Sequence, residues 1–138
     1  MSVSYGARDA MIFDTDVLIW FLRGDSSAAR LIESQAERAV SIISQMELLQ
    51  GVRSREEARV IHDFYRQSGT RIIPVDESIS HLALSLIETH ALTDGLRVAD
   101  ALIAATARET ALPLATGNVR HFKAIPGLEV KLFRPRIQ

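Results

Sequence analysis

The sequence predicts an α/β fold: a central, mostly parallel sheet flanked by helices as a three-layer sandwich. Three observations predict it. Short β-type runs alternate with longer helical stretches along the chain. The segment Val98 to Thr110 is Ala-rich and apolar on nearly all sides, as a buried helix should be. The chain has 138 residues, 47% of them apolar, which suits one domain with a sizeable core.

The elements follow in order. Residues 1–10, MSVSYGARDA, lack the charged-then-apolar order of a signal peptide and are expected to form a flexible leader to a single domain over 11–138. Met11-Ile12-Phe13 is a short apolar strand ended by Asp14. Residues 26–36 read as helix, and 39–43 (AVSII) as a β-branched strand. Helices are expected over 44–52 and 55–67. Residues 71–75 (RIIPV) form a strand whose Pro74 marks its end. From Ser78, the apolar positions Ile79, Leu82, Ala83, Leu86 and Ile87 mark one face of a helix. The buried helix over 98–110 precedes a short strand at 112–116, and 128–133 is the last strand.

Composition narrows the function classes. There is no cysteine, which removes disulfides, thiolate metal sites and cysteine nucleophiles and suits a reducing compartment. No apolar run approaches the roughly 18–20 residues of a membrane helix, so a cytoplasmic protein is expected. The net charge of −1 gives no global basic field. Only Lys123 and Lys131 are lysines among the 16 cations; the rest are arginines, whose planar fork suits phosphate and carboxylate partners.

In parallel sheets, ligands collect at the carboxyl ends of strands. There the sequence places Asp14 and Asp16, then Ser44 with Glu47 one turn on, and then Thr116-Gly117-Asn118. Asp100 opens the buried helix just upstream of that last strand. Taken singly, each has an ordinary explanation. Asp14, Thr15 or Asp16 can cap a helix. Ser44-Gln45-Met46-Glu47 fits a capping box. Asp100 can complement a helix dipole, and Asn118 can be a turn residue. Together these explanations leave unaddressed why the acids share one end of the sheet. Two carboxylates about 4 Å apart repel by roughly 4 kcal/mol at an effective dielectric near 20. Protons or a cation must relieve that. Hard oxygen donors with open positions suit Mg²⁺ or Mn²⁺, which can orient and acidify a water beside a phosphodiester.

Two other enzyme classes compete. Asp14-x-Asp16 after a strand resembles the nucleophile motif of haloacid-dehalogenase-like phosphatases. Here Leu18 stands where that motif has Thr or Val, and no adjacent acidic pair follows Glu77. A receiver-type phosphoacceptor domain needs a lysine after a late strand, which is missing. The four histidines show no ligand spacing; His121 stands out, lying beside Asn118 and Arg120.

The segments IFDTDVLIWFLRGD (12–25), SIISQMELLQGV (41–52), VADALIAATARETALPLATGNVRHF (98–122) and IPGLEV (125–130) together resemble a PIN domain. More narrowly they are similar to the VapC toxins of bacterial VapBC toxin–antitoxin pairs. The resemblance implies a PIN-like fold and a Mg²⁺- or Mn²⁺-dependent endoribonuclease. It implies metal ligation by Asp14, Glu47 and Asp100, with Asn118 at the family's fourth acidic position. Thr116 would support the site by hydrogen bonding, and Asp16 would lie behind it. It also implies a VapB-like antitoxin over the acidic pocket and a homodimer. Val60, Ile61, Phe64 and Tyr65 are candidate partner contacts. Arg53, Arg55, Arg97, Arg120 and His121 are candidates for an RNA-binding rim. Because Asn118 brings no charge, a non-catalytic PIN-like interaction domain is the alternative.

Overall fold

A computed structural model describes residues 9–136. The expected leader thus falls mostly outside the described residues, and Ala10 already opens the first strand. In chain order the elements are β1 (Ala10–Phe13), α1 (Thr15–Leu22), α2 (Ser26–Glu33), β2 (Glu37–Ser41), α3 (Ile42–Gln50), α4 (Arg55–Ser68) and β3 (Arg71–Ile73). Then come α5 (Glu77–Asp94), α6 (Val98–Thr110), β4 (Leu114–Thr116), α7 (Val119–Phe122) and β5 (Val130–Leu132).

The strands pair in the order β3-β2-β1-β4-β5, every neighbour parallel. The chain walks outward from β1 to β3, then crosses back through α5 and α6 to place β4 on the other side of β1. The strand order therefore reverses between β1 and β4. In such sheets the crevice at the carboxyl ends of the two diverging strands is the place a ligand binds.

Side-chain alternation builds a core on each face. In β1, Ile12 joins Ala39, Leu114 and the residues of α5 and α6 on one face. Its neighbours Met11 and Phe13 point the other way, against Val17, Leu18, Ile32, Leu48, Ile61 and Phe64. The three-layer α/β fold expected from the sequence is thus present. Among the described residues, no helix is long and apolar enough to cross a membrane.

Several boundaries differ from expectation. TDVLIWFL forms α1, which the sequence did not announce because the segment is apolar almost throughout and shows no period. β2 ends at Ser41 rather than 43. The Ser41 hydroxyl accepts from Ile43 N–H and caps α3, pulling the β-branched Ile42 and Ile43 into a helix. The expected capping box at 44–47 is therefore incorrect. Ser44 lies inside α3 and is fully buried. β3 stops before Pro74, which has no N–H to offer a neighbour.

Candidate active site

Asp14 follows β1 and Thr116 ends β4, the two strands flanking the reversal. Parallel pairing sets Phe13 opposite Ala115, and Asp14 N–H donates to Ala115 O (2.9 Å). The Asp14 side chain is 4% exposed, and both of its oxygens are engaged. Oδ1 accepts from Thr15 N–H at 2.8 Å, capping α1, and Oδ2 accepts from the Thr116 hydroxyl at 2.6 Å. Thr116 Oγ1 in turn accepts from Asn118 N–H at 2.9 Å. One buried hydroxyl thus links the aspartate to the turn that carries Asn118.

Burial pushes the Asp14 carboxyl up to about 7. The neighbouring Asp16 charge adds to the rise, as does Asp100, while the bonds from Thr116 and Thr15 oppose it. Burial also raises Asp16. Asp16 Oδ2 accepts from Gly117 N–H at 2.8 Å, and its buried Oδ1 has no hydrogen-bond partner. Asp16 therefore braces the turn after β4 and does not stand beside Asp14 as its equal. This is not the placement expected of the proton-handling acid in a phosphatase motif.

Asp100 sits in the first turn of α6, whose N-cap Arg97 makes no side-chain capping bond. His121 Nδ1 lies 3.4 Å from Asp100 Oδ2, an ion pair when the imidazole is protonated. Glu47 is held differently. The Thr15 hydroxyl donates to Glu47 Oε1 at 2.6 Å and lies 2.9 Å from Ser44 Oγ. Glu47 and Ser44 on α3 are thereby tied to the start of α1, one residue from Asp14. Thr15 and Gly117 are connections the sequence reading missed. A hydroxyl residue directly after a strand-end acid was the available signal for the first, and the glycine after Thr116 for the second.

Among the described residues, no group of three or more His, Cys, Asp or Glu side chains is gathered as a metal cage. Asp14 and Asp100 are electrostatic neighbours, whereas Glu47 is turned to Thr15. The donor chemistry still fits a hard divalent cation. Mg²⁺ is usually held by one or two carboxylates, with waters completing its shell. Asp14 and Asp100 offer two oxygen donors where uncompensated negative charge is unfavourable.

Of the rim candidates, Arg120 and His121 line a cavity beside these acids, with Asn118 and Gly117. Arg53, Arg55 and Arg97 are exposed and do not line it. Of the candidate partner contacts, Ile61, Phe64 and Tyr65 are core, while Val60 is exposed.

Thr116→Val tests the link between Asp14 and the turn. The isosteric change removes a donor that favours the ionised carboxylate, so the Asp14 pKa should rise further. We expect any hydrolytic activity at this site to fall by about tenfold or more, as for loss of a residue that orients a ligand. Cleavage kinetics and stability-versus-pH curves in chelator would check it.

The family model for the PIN domain matches residues 11–128. Ribonuclease VapC19 of Mycobacterium tuberculosis is 35% identical over 123 residues, spanning 86% of this chain and 96% of that protein. Ribonuclease VapC10 of the same species is 33% identical over 134 residues, spanning 91% and 98%. Among solved structures, a toxin–antitoxin complex from Klebsiella pneumoniae superposes with a TM-score of 0.70 at 28% identity, covering 86% of this chain and 95% of that one.

Proposed function

The chain belongs to the PIN-domain family, and from that premise we propose that it is an endoribonuclease toxin of a toxin–antitoxin pair. It hydrolyses RNA phosphodiester bonds with water. The observation that carries the reading is Asp14, buried at the strand-order reversal with Thr116 on one oxygen and the charge of Asp100 nearby. The relatives named as ribonucleases give the substrate class.

Asp14 and Asp100 would hold a divalent cation, Mg²⁺ or Mn²⁺, with Glu47 on the Thr15 side and Asn118 supplying a neutral oxygen. Such a cation would neutralise charge on the phosphodiester and lower the pKa of a nearby water. The protein's own groups do the positioning. Thr15 N–H and the Thr116 hydroxyl fix both oxygens of Asp14, so the carboxylate needs no reorganisation when substrate arrives. Asp16, bonded to Gly117, holds the turn bearing Asn118 in register. His121, its Nδ1 3.4 Å from Asp100 Oδ2, restrains that carboxylate when the imidazole is protonated.

A VapB-like antitoxin and a second copy of the chain are the expected partners, and the cytoplasm is the expected compartment. The toxin–antitoxin complex among the structural relatives supports the first. The absence of a gathered three-acid cage among the described residues favours a second reading, a non-catalytic interaction domain.

The purified protein with single-stranded RNA separates the two. Cleavage should vanish in EDTA and return on addition of Mg²⁺ or Mn²⁺. A protein that neither cleaves nor binds Mn²⁺ would be the interaction domain.

A further inference from the structure

Three cavities of similar size open on the surface. One, of about 500 Å³, lies between α2 and α4 and is lined by Glu33, Asp63 and Arg38. A second, of about 510 Å³, lies between α1, α3 and α4 and is lined by Glu47, Glu57 and Arg23. The third, of about 570 Å³, is lined by Gly117, Asn118, Val119, Arg120, His121, Leu132 and Arg134, with no acid among them. Two guanidiniums and an imidazole thus face a cavity that no carboxylate lines.

That cavity adjoins the active site through three connections. Gly117 N–H is bonded to Asp16, Asn118 N–H to Thr116, and His121 Nδ1 faces Asp100. Its far wall is β5, held against β4 by the pairing of Thr116 with Leu132 and by Phe133 N–H donating to Thr116 O (2.9 Å). This register brings Arg134, near the end of the chain, to the same opening as Arg120. Both arginines are exposed, and neither is in an ion pair among the described residues. Between them Leu132 is 56% exposed, an apolar surface with polar surroundings.

We propose that this cavity binds the RNA nucleotide adjacent to the scissile phosphodiester. Arg120 and Arg134 take its flanking phosphates, and its ribose or base packs on Leu132. The assignment rests on the ribonuclease reading and deepens it. The chemistry favours RNA because guanidiniums match phosphate oxygens bidentately. Each of the other two cavities sets two acids against one arginine, so of the three only this one offers a polyanion leaving the acidic centre a net positive lining. Phosphate contacts set the register of the strand, which decides which bond lies over Asp14 and Asp100.

The test uses the full-length Asp14→Asn protein, so that RNA survives the measurement. A fluorescein-labelled 12-nucleotide single-stranded RNA is titrated by anisotropy between 50 and 200 mM KCl. Each single-strand phosphate contact contributes about 0.7 to the slope of log K against log salt, so Arg120→Ala with Arg134→Ala should reduce that slope by about 1.4. Affinity at 100 mM KCl should fall at least about tenfold, roughly the effect of losing two exposed charge-assisted contacts. Arg120→Lys with Arg134→Lys should keep most of the slope, and Arg59→Ala with Arg66→Ala, two exposed arginines of α4 paired with Glu56 and Asp63, should leave both quantities nearly unchanged.

No measurable RNA binding, or a double alanine variant with unchanged affinity and slope at an unchanged melting temperature, overturns the proposal. Failure of the wild-type protein to cleave RNA in Mg²⁺ would instead count against the ribonuclease reading. An Arg-dependent salt slope on the Asp14→Asn protein would still support the cavity as an RNA site.

Discussion

Asp14→Asn should lower RNA cleavage by at least about 10³-fold while raising the melting temperature in chelator. The first part follows from charge. Removing one preorganised neutral donor to a transition state costs about 10²–10³-fold, and losing an ionised ligand should cost at least the upper figure. Asp100→Asn should match it in rate. The second part follows from burial. The Asp14 carboxyl stands at about 7 in the fold against an ordinary 3.8.

A raised native pKa means that the folded protein holds this proton more tightly than the unfolded chain does. Stability from this group is therefore full below about pH 4, falls as pH rises, and is lost above about 7. The full shift corresponds to about 4 kcal/mol at 1.36 kcal/mol per unit. Local relaxation and the imperfect fit of an amide between Thr15 N–H and Thr116 reduce this, to roughly 1–3 kcal/mol at pH 8. The variant should lose most of this pH slope between 4 and 7 and keep the part that comes from Asp16, whose carboxyl burial also raises. Thermal scans in EDTA across that range would check it. A variant that melts lower than wild type at pH 8 would mean that Asp14 serves mainly as the cap of α1.

How far the site was legible depends on which contacts are local. Asp14, Thr116 and Asn118 were readable because each sits where a short apolar run stops, and the parallel-sheet rule says that such stops share one edge. Asp100 was readable from its place at the head of a helix apolar on all sides. Glu47 was expected near this edge, but its surroundings were misjudged: it is bonded to Thr15. Ile42 and Ile43 favour a strand, and nothing local shows that the Ser41 hydroxyl turns them into a helix.

α1 escaped because a segment buried on most sides carries no helical period. The contacts of Gly117 and the position of Arg134 were out of reach for a different reason. The Gly117–Asp16 contact depends on the register of β4 against β1, and the position of Arg134 on that of β5 against β4; both are fixed by the sheet and not by neighbours in sequence. The sequence thus showed which chemistry-bearing residues reach the edge. The hydrogen bonds that orient them needed the fold.

Gly117→Ala should cost about 1–3 kcal/mol of stability and roughly 10–100-fold in cleavage, though it adds one methyl group. The backbone there does not require glycine, since its φ is not positive. Space does. A Cβ on Gly117 would sit 2.7 Å from Asp16 Oδ2 and 3.4 Å from Phe133 O. Asp16 cannot yield freely. Its Oδ2 is bonded to the Gly117 N–H, and it lies in the first turn of α1. Either the carboxylate swings away and forfeits that bond, or the turn moves. A moving turn would draw Thr116 Oγ1 off Asp14 Oδ2 and shift Asn118. A double-mutant cycle with Asp16→Ala isolates the cause. If the clash is responsible, removing the carboxylate should recover part of the loss, with a coupling of about 1 kcal/mol or more. Strictly additive losses would show that Gly117 acts through something other than Asp16.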